Sequence, residues 1–257
     1  MAVKTGSRSM TDAVVSRPAW SLQRAMHRLW KDHVVWTRDY IVAAMAGAPD
    51  ANAAAARLLR NQEDIGNAIV PFYGAEAGQG LTLHLKDHIL IAVDLIELVK
   101  AEDFGERFKE LNRRWDENAA DIASFLGGLN PYWPEKDIAD LLAQHLALTK
   151  KEVDARLFGD WEKDVAAFDD ILTEILTLAD ALSAGIIAQF PDRFGARGPD
   201  GGAIRSIGAP ITKRPRARSP KYRPYNFPPE PITRSSYRPY NFPPEPITRS
   251  SSGRATR

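Results

Sequence analysis

Three histidines with similar surroundings are the residues of this chain best suited to chemistry. His33, His88 and His145 each directly follow an acid or an amide, and each lies on the apolar stripe of a long helical segment. An imidazole at such a position can coordinate a metal ion, transfer a proton or hydrogen-bond to a buried partner. If the three segments share one core, we expect the three rings to point at a common interior site.

Polar residues about thirty positions further along the chain are candidates to complete this site. Asp64 follows His33 at this distance, and Asn118 and Asp121 follow His88. Helical bundles bind divalent metal ions through imidazole and carboxylate groups on facing helices. The predicted site holds a divalent metal ion or a small ligand between His33, His88, His145, Asp64, Asn118 and Asp121.

Two other interpretations stay open. Each histidine could make a single hydrogen bond to the facing helix and hold a pair of helices in register, because a buried polar group needs a partner. For His145 the candidates are Asp169, Asp170 and Glu174. A pocket histidine could also be a general base, although the sequence offers no nucleophile, base and orienting residue in combination. The chain has no cysteine, which excludes thiolate catalysis and cysteine-bound metals.

The elements that position these residues are predicted to be helices. Apolar residues recur at three- and four-residue steps, over about 20–46, 51–73, 75–100, 106–126, 135–157 and 161–190. The connections are short, and no stretch before Pro191 has the pattern of a strand. The expected fold is all-α, a six-helix bundle of three antiparallel helical hairpins over residues 20–192.

Several motifs resemble those of a family of uncharacterised bacterial all-helical bundle proteins. They are Leu29–Arg38, Leu58–Asp64, Pro71–Gly74, Asn130–Trp133 and Gln189–Phe194. The resemblance covers residues 29–194 and implies the same bundle fold. Members of this family sometimes carry names such as acetylglutamate kinase or glycosyltransferase. The residues support neither activity, because no Gly-rich phosphate loop follows a strand and no alternation of strands and helices is present.

The charge of the chain is unevenly distributed. From residue 193 on, 14 Lys and Arg stand against three acids, so this part carries +11 and residues 1–192 carry −10 of the net +1. Residues 1–19 are expected to be a disordered leader without the apolar run of a signal peptide. No segment approaches the ~18 uncharged apolar residues of a membrane span. These features predict a cytoplasmic protein.

The C-terminal part, residues 193–257, is rich in Pro and Arg and is predicted to be a disordered tail. It contains a perfect tandem repeat, in which residues 222–236 recur as 237–251. Aromatic side chains beside prolines suit a protein groove, and the candidate partner-binding residues are Tyr222, Arg223, Tyr225, Phe227, Tyr237, Arg238, Tyr240 and Phe242. Two copies would raise the effective concentration for such a partner. An unselected duplication is the alternative, and stacking on single-stranded nucleic acid is less favoured because Pro and Glu dilute the charge.

Overall fold

The computed structural model describes residues 16–195, which form five α-helices and one short 3-10 helix. The helices are α1 (Arg17–Ala46), α2 (Ala51–Lys100), α3 (Glu106–Leu129), α4 (Glu135–Leu157) and α5 (Trp161–Gln189), with the 3-10 helix at Pro191–Phe194. Residues 16–195 contain no strand, so the predicted all-α fold is confirmed. The predicted partner-binding residues of the repeats, 222–251, lie outside the described residues.

The helix count differs from the predicted six because α2 runs through Gly74. This residue has φ 86° and ψ 170°, and it is the one non-helical position inside the 50-residue element. That backbone conformation is essentially restricted to glycine, since a Cβ atom would clash with the peptide units on either side. The predicted second and third helices are therefore the two segments of α2, 51–73 and 75–100, joined by a single residue.

The two segments of α2 fold back against each other. The hydroxyl of Thr82 donates to the Gly78 carbonyl at 3.0 Å and lies 3.5 Å from the Gln62 carbonyl on the other segment. Gly66 and Gly78 meet across this interface, where a Cβ atom on Gly66 would stand 2.5 Å from the Gly78 oxygen. Two glycines thus allow the backbones to approach far closer than larger side chains would permit.

The helices form a closed ring. Each helix packs against the next one along the chain, and α5 packs against α1. Near one end of that last contact, Gln23 donates to Asp180 at 2.8 Å, and near the other Arg38 binds Asp164 at 2.9 Å. Helices α1 and α5 are therefore antiparallel.

One apolar core fills most of this ring. It receives buried side chains from every helix, among them Trp30, Leu81, Ile122, Ile138 and Ile175. Burying each such side chain contributes about 1.5–3 kcal/mol to folding. A smaller cluster, which includes Tyr40, Ile96 and Val153, extends the core towards the end of the bundle where α1 terminates.

Helix α5 is the one described helix whose length and composition would allow it to cross a membrane. Its most apolar window has a mean hydropathy of 1.7, and half of that window is buried in the bundle. Ile175, Leu178 and Ile186 are completely shielded from solvent. Packing in the core is thus a sufficient reason for the apolar sequence of α5.

The described helical elements extend beyond the predicted limits of the bundle at both ends. Ser16 caps α1 by accepting from the Ala19 amide at 3.3 Å, so the helix begins at Arg17 rather than near Trp20. At the other end, Phe194 is buried and stacks on Phe72 with ring centroids 5.9 Å apart. These local contacts were not visible in the hydrophobic periodicity.

Candidate ligand-binding site

His88 is held in one tautomer by the facing helix. It lies on the second segment of α2, and its Nδ1 is 2.9 Å from Oδ1 of Asn118 on α3. The orientation of the Asn118 amide follows from its other contact, because Nδ2 donates to the His84 carbonyl at 3.1 Å. Asn118 Oδ1 must therefore accept from Nδ1–H, which leaves Nε2 of His88 with a lone pair. Burial, with a smaller effect from His145, lowers the pKa of His88 to about 3, although the hydrogen bond to Asn118 opposes this.

His145 on α4 faces a carboxylate instead of an amide. Its Nδ1 lies 3.1 Å from Oε2 of Glu174 on α5, and both side chains are buried. The second oxygen of Glu174, Oε1, is also buried and makes no hydrogen bond. A carboxylate at Nδ1 orients an imidazole and stabilises the positive charge that the ring gains with a second proton.

His33 on α1 has the least satisfied ring of the three. Its Nδ1 is buried without a hydrogen bond, and so is Oε1 of the neighbouring Gln62. Burial lowers the pKa of His33 well below its usual value, and the proximity of His145 and His88 adds to this, while Gln62 acts weakly in the opposite direction. His33 is therefore a neutral imidazole at ordinary pH.

The three rings lie together in the interior. The ring centroid of His145 is 5.6 Å from that of His33 and 6.4 Å from that of His88. All three are at most 4% exposed. Helices α1, α2 and α4 thus bring the three imidazoles together in the interior.

The rings line one end of a cavity of about 430 Å³. The remaining wall is mostly apolar and includes Ile89, Leu95, Ile96, Phe108 and Val153. Pockets for small organic ligands have volumes of ~300–1,000 Å³ and combine an apolar lining with a few polar groups. This cavity has both properties.

Polar residues of α3 and α4 also line the cavity. Lys150 binds Asp116 at 3.2 Å and lies over the Trp115 ring at 5.5 Å, so it connects α4 to α3. The other polar residues of the lining are Thr37, Asn112, Thr149 and Asp154, and burial raises the pKa of Asp154. The ammonium group of Lys150 thus pairs with the surface acid Asp116, while the side chain of Lys150 lines the cavity.

Three of the predicted site residues do not line the cavity, although one of them, Asn118, contacts the ring of His88. Asp64 is exposed on the outside of α2, 3.8 Å from Arg57, and Asp121 is exposed on α3. Within residues 16–195, no group of three or more His, Asp or Glu side chains is placed to hold a metal ion. Asp64 and Asp121 therefore lie on the surface, apart from the three imidazoles. Whether the histidines bind a metal stays a prediction.

Gln62 was not predicted as a site residue, although its distance from His33 along the chain matches that of the other two pairs. The side chain that faces each histidine lies 29 or 30 residues later, at Gln62, Asn118 and Glu174. Asp64 stands only two residues after Gln62, which rotates it by roughly 200° around the helix and onto the outer face. His88 and Asn118 are 30 residues apart, and His145 and Glu174 are 29 residues apart. Applied to His33, the same separation gives Gln62.

A buried charge cluster beside the cavity was also missed. Arg38 on α1 contacts Glu152 on α4 at 2.5 Å and Asp164 on α5 at 2.9 Å, and Arg156 reaches Asp164 at 2.8 Å. Burial raises the pKa of Glu152 to about 7, although Arg38 opposes the shift. For Asp164, hydrogen bonds from both arginines overcome burial and hold its pKa below the usual value. The cluster ties three helices together.

Comparison of the chain with protein-family models, with curated proteins and with solved structures finds no match. Function must therefore be inferred from the geometry of the site itself.

Proposed function

We propose that the bundle binds a small, largely apolar molecule in the cavity and holds one polar group of that molecule with the buried imidazoles. The observation that carries this proposal is the position of His33, His88 and His145 along one end of a 430 Å³ cavity that is otherwise mostly apolar. The apolar wall supplies affinity through burial of ligand surface. The imidazoles supply orientation, since few other polar groups are available there.

The hydrogen bonds of the site support a binding role beyond helix registration. Asn118 and Glu174 both engage Nδ1 of their histidine. This leaves Nε2 of His88 and of His145 as the nitrogens that a ligand can use. A role limited to holding helices in register would be satisfied by the Nδ1 contacts alone and gives no reason for three rings to line a cavity.

A cavity-filling substitution tests the proposal. Ala92 lines the cavity, so Ala92→Phe should occupy part of its volume, while Ala56→Phe adds the same side chain at an exposed position of α2. A ligand that binds only the folded state raises the thermal midpoint. We expect small aromatic or aliphatic compounds with one polar group to raise the midpoint of the wild type and of Ala56→Phe, and to leave that of Ala92→Phe unchanged. Equal shifts in all three proteins would contradict a cavity site.

A metal ion is the alternative occupant of the imidazole end. Elemental analysis of the purified protein and of His88→Asn distinguishes the two cases. The proposal expects metal well below one equivalent and no difference between the two proteins. One equivalent in the wild type that is lost in His88→Asn would replace the organic ligand with a metal centre.

A further inference from the structure

Only one of the three histidines faces a group that can be an anion. Gln62 and Asn118 are neutral amides, whereas Glu174 is a carboxylic acid at the corresponding position of the third hairpin. This difference makes the imidazole end of the cavity electrically asymmetric.

Glu174 depends on His145 for charge compensation. Glu174 is only 4% exposed. Within the described part of the chain, His145 is the one residue that forms an ion pair with its carboxylate. Its Oε1 makes no hydrogen bond, so the pair is not shared with other donors. A buried carboxylate is costly without a cationic neighbour. Nδ1–H of His145 therefore donates to this carboxylate, and Nε2 is the nitrogen of the ring that is left to meet a ligand.

The electrical asymmetry is confined to His145, because the Glu174 carboxylate contacts this ring and neither of the other two imidazoles. Burial and the proximity of His145 both lower the pKa values of His33 and His88, so these rings are neutral. The other ionisable groups of the cavity wall are Lys150, which is paired with Asp116, and Asp154. Helix α3 contributes only the uncharged Asn112 and Trp115 among its polar cavity residues.

We propose that the cavity selects weak acids with an apolar body, such as phenols, and binds them as anions at His145. The inference rests on the proposed function. In the bound state the ligand O–H bond breaks, the electron pair stays on the ligand oxygen, and the proton forms a bond to Nε2 of His145. The resulting imidazolium lies between two anions, the Glu174 carboxylate at Nδ1 and the ligand oxygen at Nε2. The transfer needs no other reactant.

A coloured phenol tests this inference directly. 4-Nitrophenol absorbs visible light as the phenolate, and 4-nitroanisole has the same ring without an ionisable proton. At a pH about one unit below the midpoint of free nitrophenol, roughly a tenth of the free compound is ionised. We expect bound nitrophenol to show the phenolate spectrum under these conditions, and nitroanisole to bind about tenfold more weakly or worse.

Two glutamate variants assign the effect. Glu174→Gln keeps an acceptor for Nδ1 of His145, as Asn118 does for His88, but removes the charge. Glu162→Gln makes the same change at an exposed position of α5. Glu174→Gln should lose the phenolate spectrum and bind nitrophenolate about tenfold more weakly, whereas Glu162→Gln should match the wild type.

The possible outcomes separate the two proposals. If both nitro compounds bind and nitrophenol stays neutral, the inference is overturned and the apolar cavity site stands. If neither compound binds the wild type, the cavity does not accept small aromatic ligands. The proposed function and the inference about weak acids are then both contradicted. If Glu174→Gln does not fold, the spectrum of bound nitrophenol in the wild type, with nitroanisole as comparison, still decides the matter.

Discussion

At the scale of single residues, the buried histidines could be found from the sequence, but their partners could be found only in part. The apolar periodicity places His33, His88 and His145 correctly in the interior, and Asn118 is indeed the partner of His88. Asp121 is exposed, although it lies only one turn from Asn118. A pattern along one helix does not determine its rotation against the next, and that rotation decides which of two nearby polar residues faces inward.

Removal of the Asn118 amide should destabilise the protein. Asn118→Ala leaves Nδ1–H of His88 and the His84 carbonyl without their present partner. A buried polar group without a hydrogen bond costs about 1–3 kcal/mol, so we expect the free energy of unfolding to fall by about 2 kcal/mol. Denaturant unfolding measures this. Asn67→Ala, at an exposed position of α2, should change it by less than ~0.5 kcal/mol.

Glu152 should make stability depend on pH near neutrality. Its pKa is about 7 in the folded protein, above the usual value of 4.5, because the side chain is buried. The folded state therefore binds more protons than the unfolded state between these values, so stability falls as pH rises from about 4.5 to 7 and levels off above 7. The loss is on the order of 3 kcal/mol.

The variant Glu152→Gln isolates this contribution. Relative to the variant, the wild type should lose stability between pH 5 and pH 7 in urea unfolding experiments, whereas Glu162→Gln should follow the wild type. A constant difference between wild type and Glu152→Gln across this range would show that the buried carboxylate does not titrate there. The buried partners of Arg38, Glu152 and Asp164, lie more than 100 positions away along the chain. Sequence spacing alone carries no information about such a contact.

At the scale of elements, α2 shows what periodicity predicts and what it leaves out. The break predicted between about residues 73 and 75 coincides with Gly74, the non-helical residue inside α2. The close contact of Gly66 with Gly78 was not predicted, since glycine inside a helix signals either a weak position or a tight approach. Only the fold-back of the two segments distinguishes these possibilities.

A methyl group at Gly66 should disrupt this fold-back. The Cβ atom of Gly66→Ala would stand 2.5 Å from the Gly78 carbonyl oxygen and would overlap the Thr82 hydroxyl. Because the first of these atoms belongs to the backbone, one segment must move, and we expect a loss of about 1–3 kcal/mol from overpacking. Gly128→Ala is the matched control in α3, where a Cβ atom meets nothing within 4 Å.

In that control, the better helix propensity of alanine should raise stability by about 0.5–1 kcal/mol. Thermal unfolding of both variants measures the two effects, which have opposite signs. Similar values for the two variants would contradict the close contact between the segments of α2.

At the scale of the whole molecule, an acidic helical body is followed by a basic sequence with an exact internal repeat. The core clusters lie within residues 16–195. A chain that ends at residue 195 retains both of these core clusters, so we expect it to fold into the same five helices. It should also bind more strongly to an anion exchanger, because the removed part carries thirteen basic residues and three acids.

The repeats can be tested separately for partner binding, which stays a prediction. Deletion of residues 222–251 removes both copies, and deletion of 237–251 removes one. If the repeats recruit a protein, affinity capture should lose that protein with the first deletion and retain it more weakly with the second. An unchanged set of captured proteins after the first deletion would favour an unselected duplication.

The antiparallel contact between α1 and α5 has a consequence for the order of the chain. Because α1 contacts the 3-10 helix that follows α5, a short linker can connect residue 195 to residue 17, and new termini can be opened between α2 and α3 at residues 101–105. Such a circular permutant retains every helix and every contact between helices. The bundle would then assemble from a sequence that begins with the second half of the molecule, which means that its architecture does not depend on which helix is synthesised first.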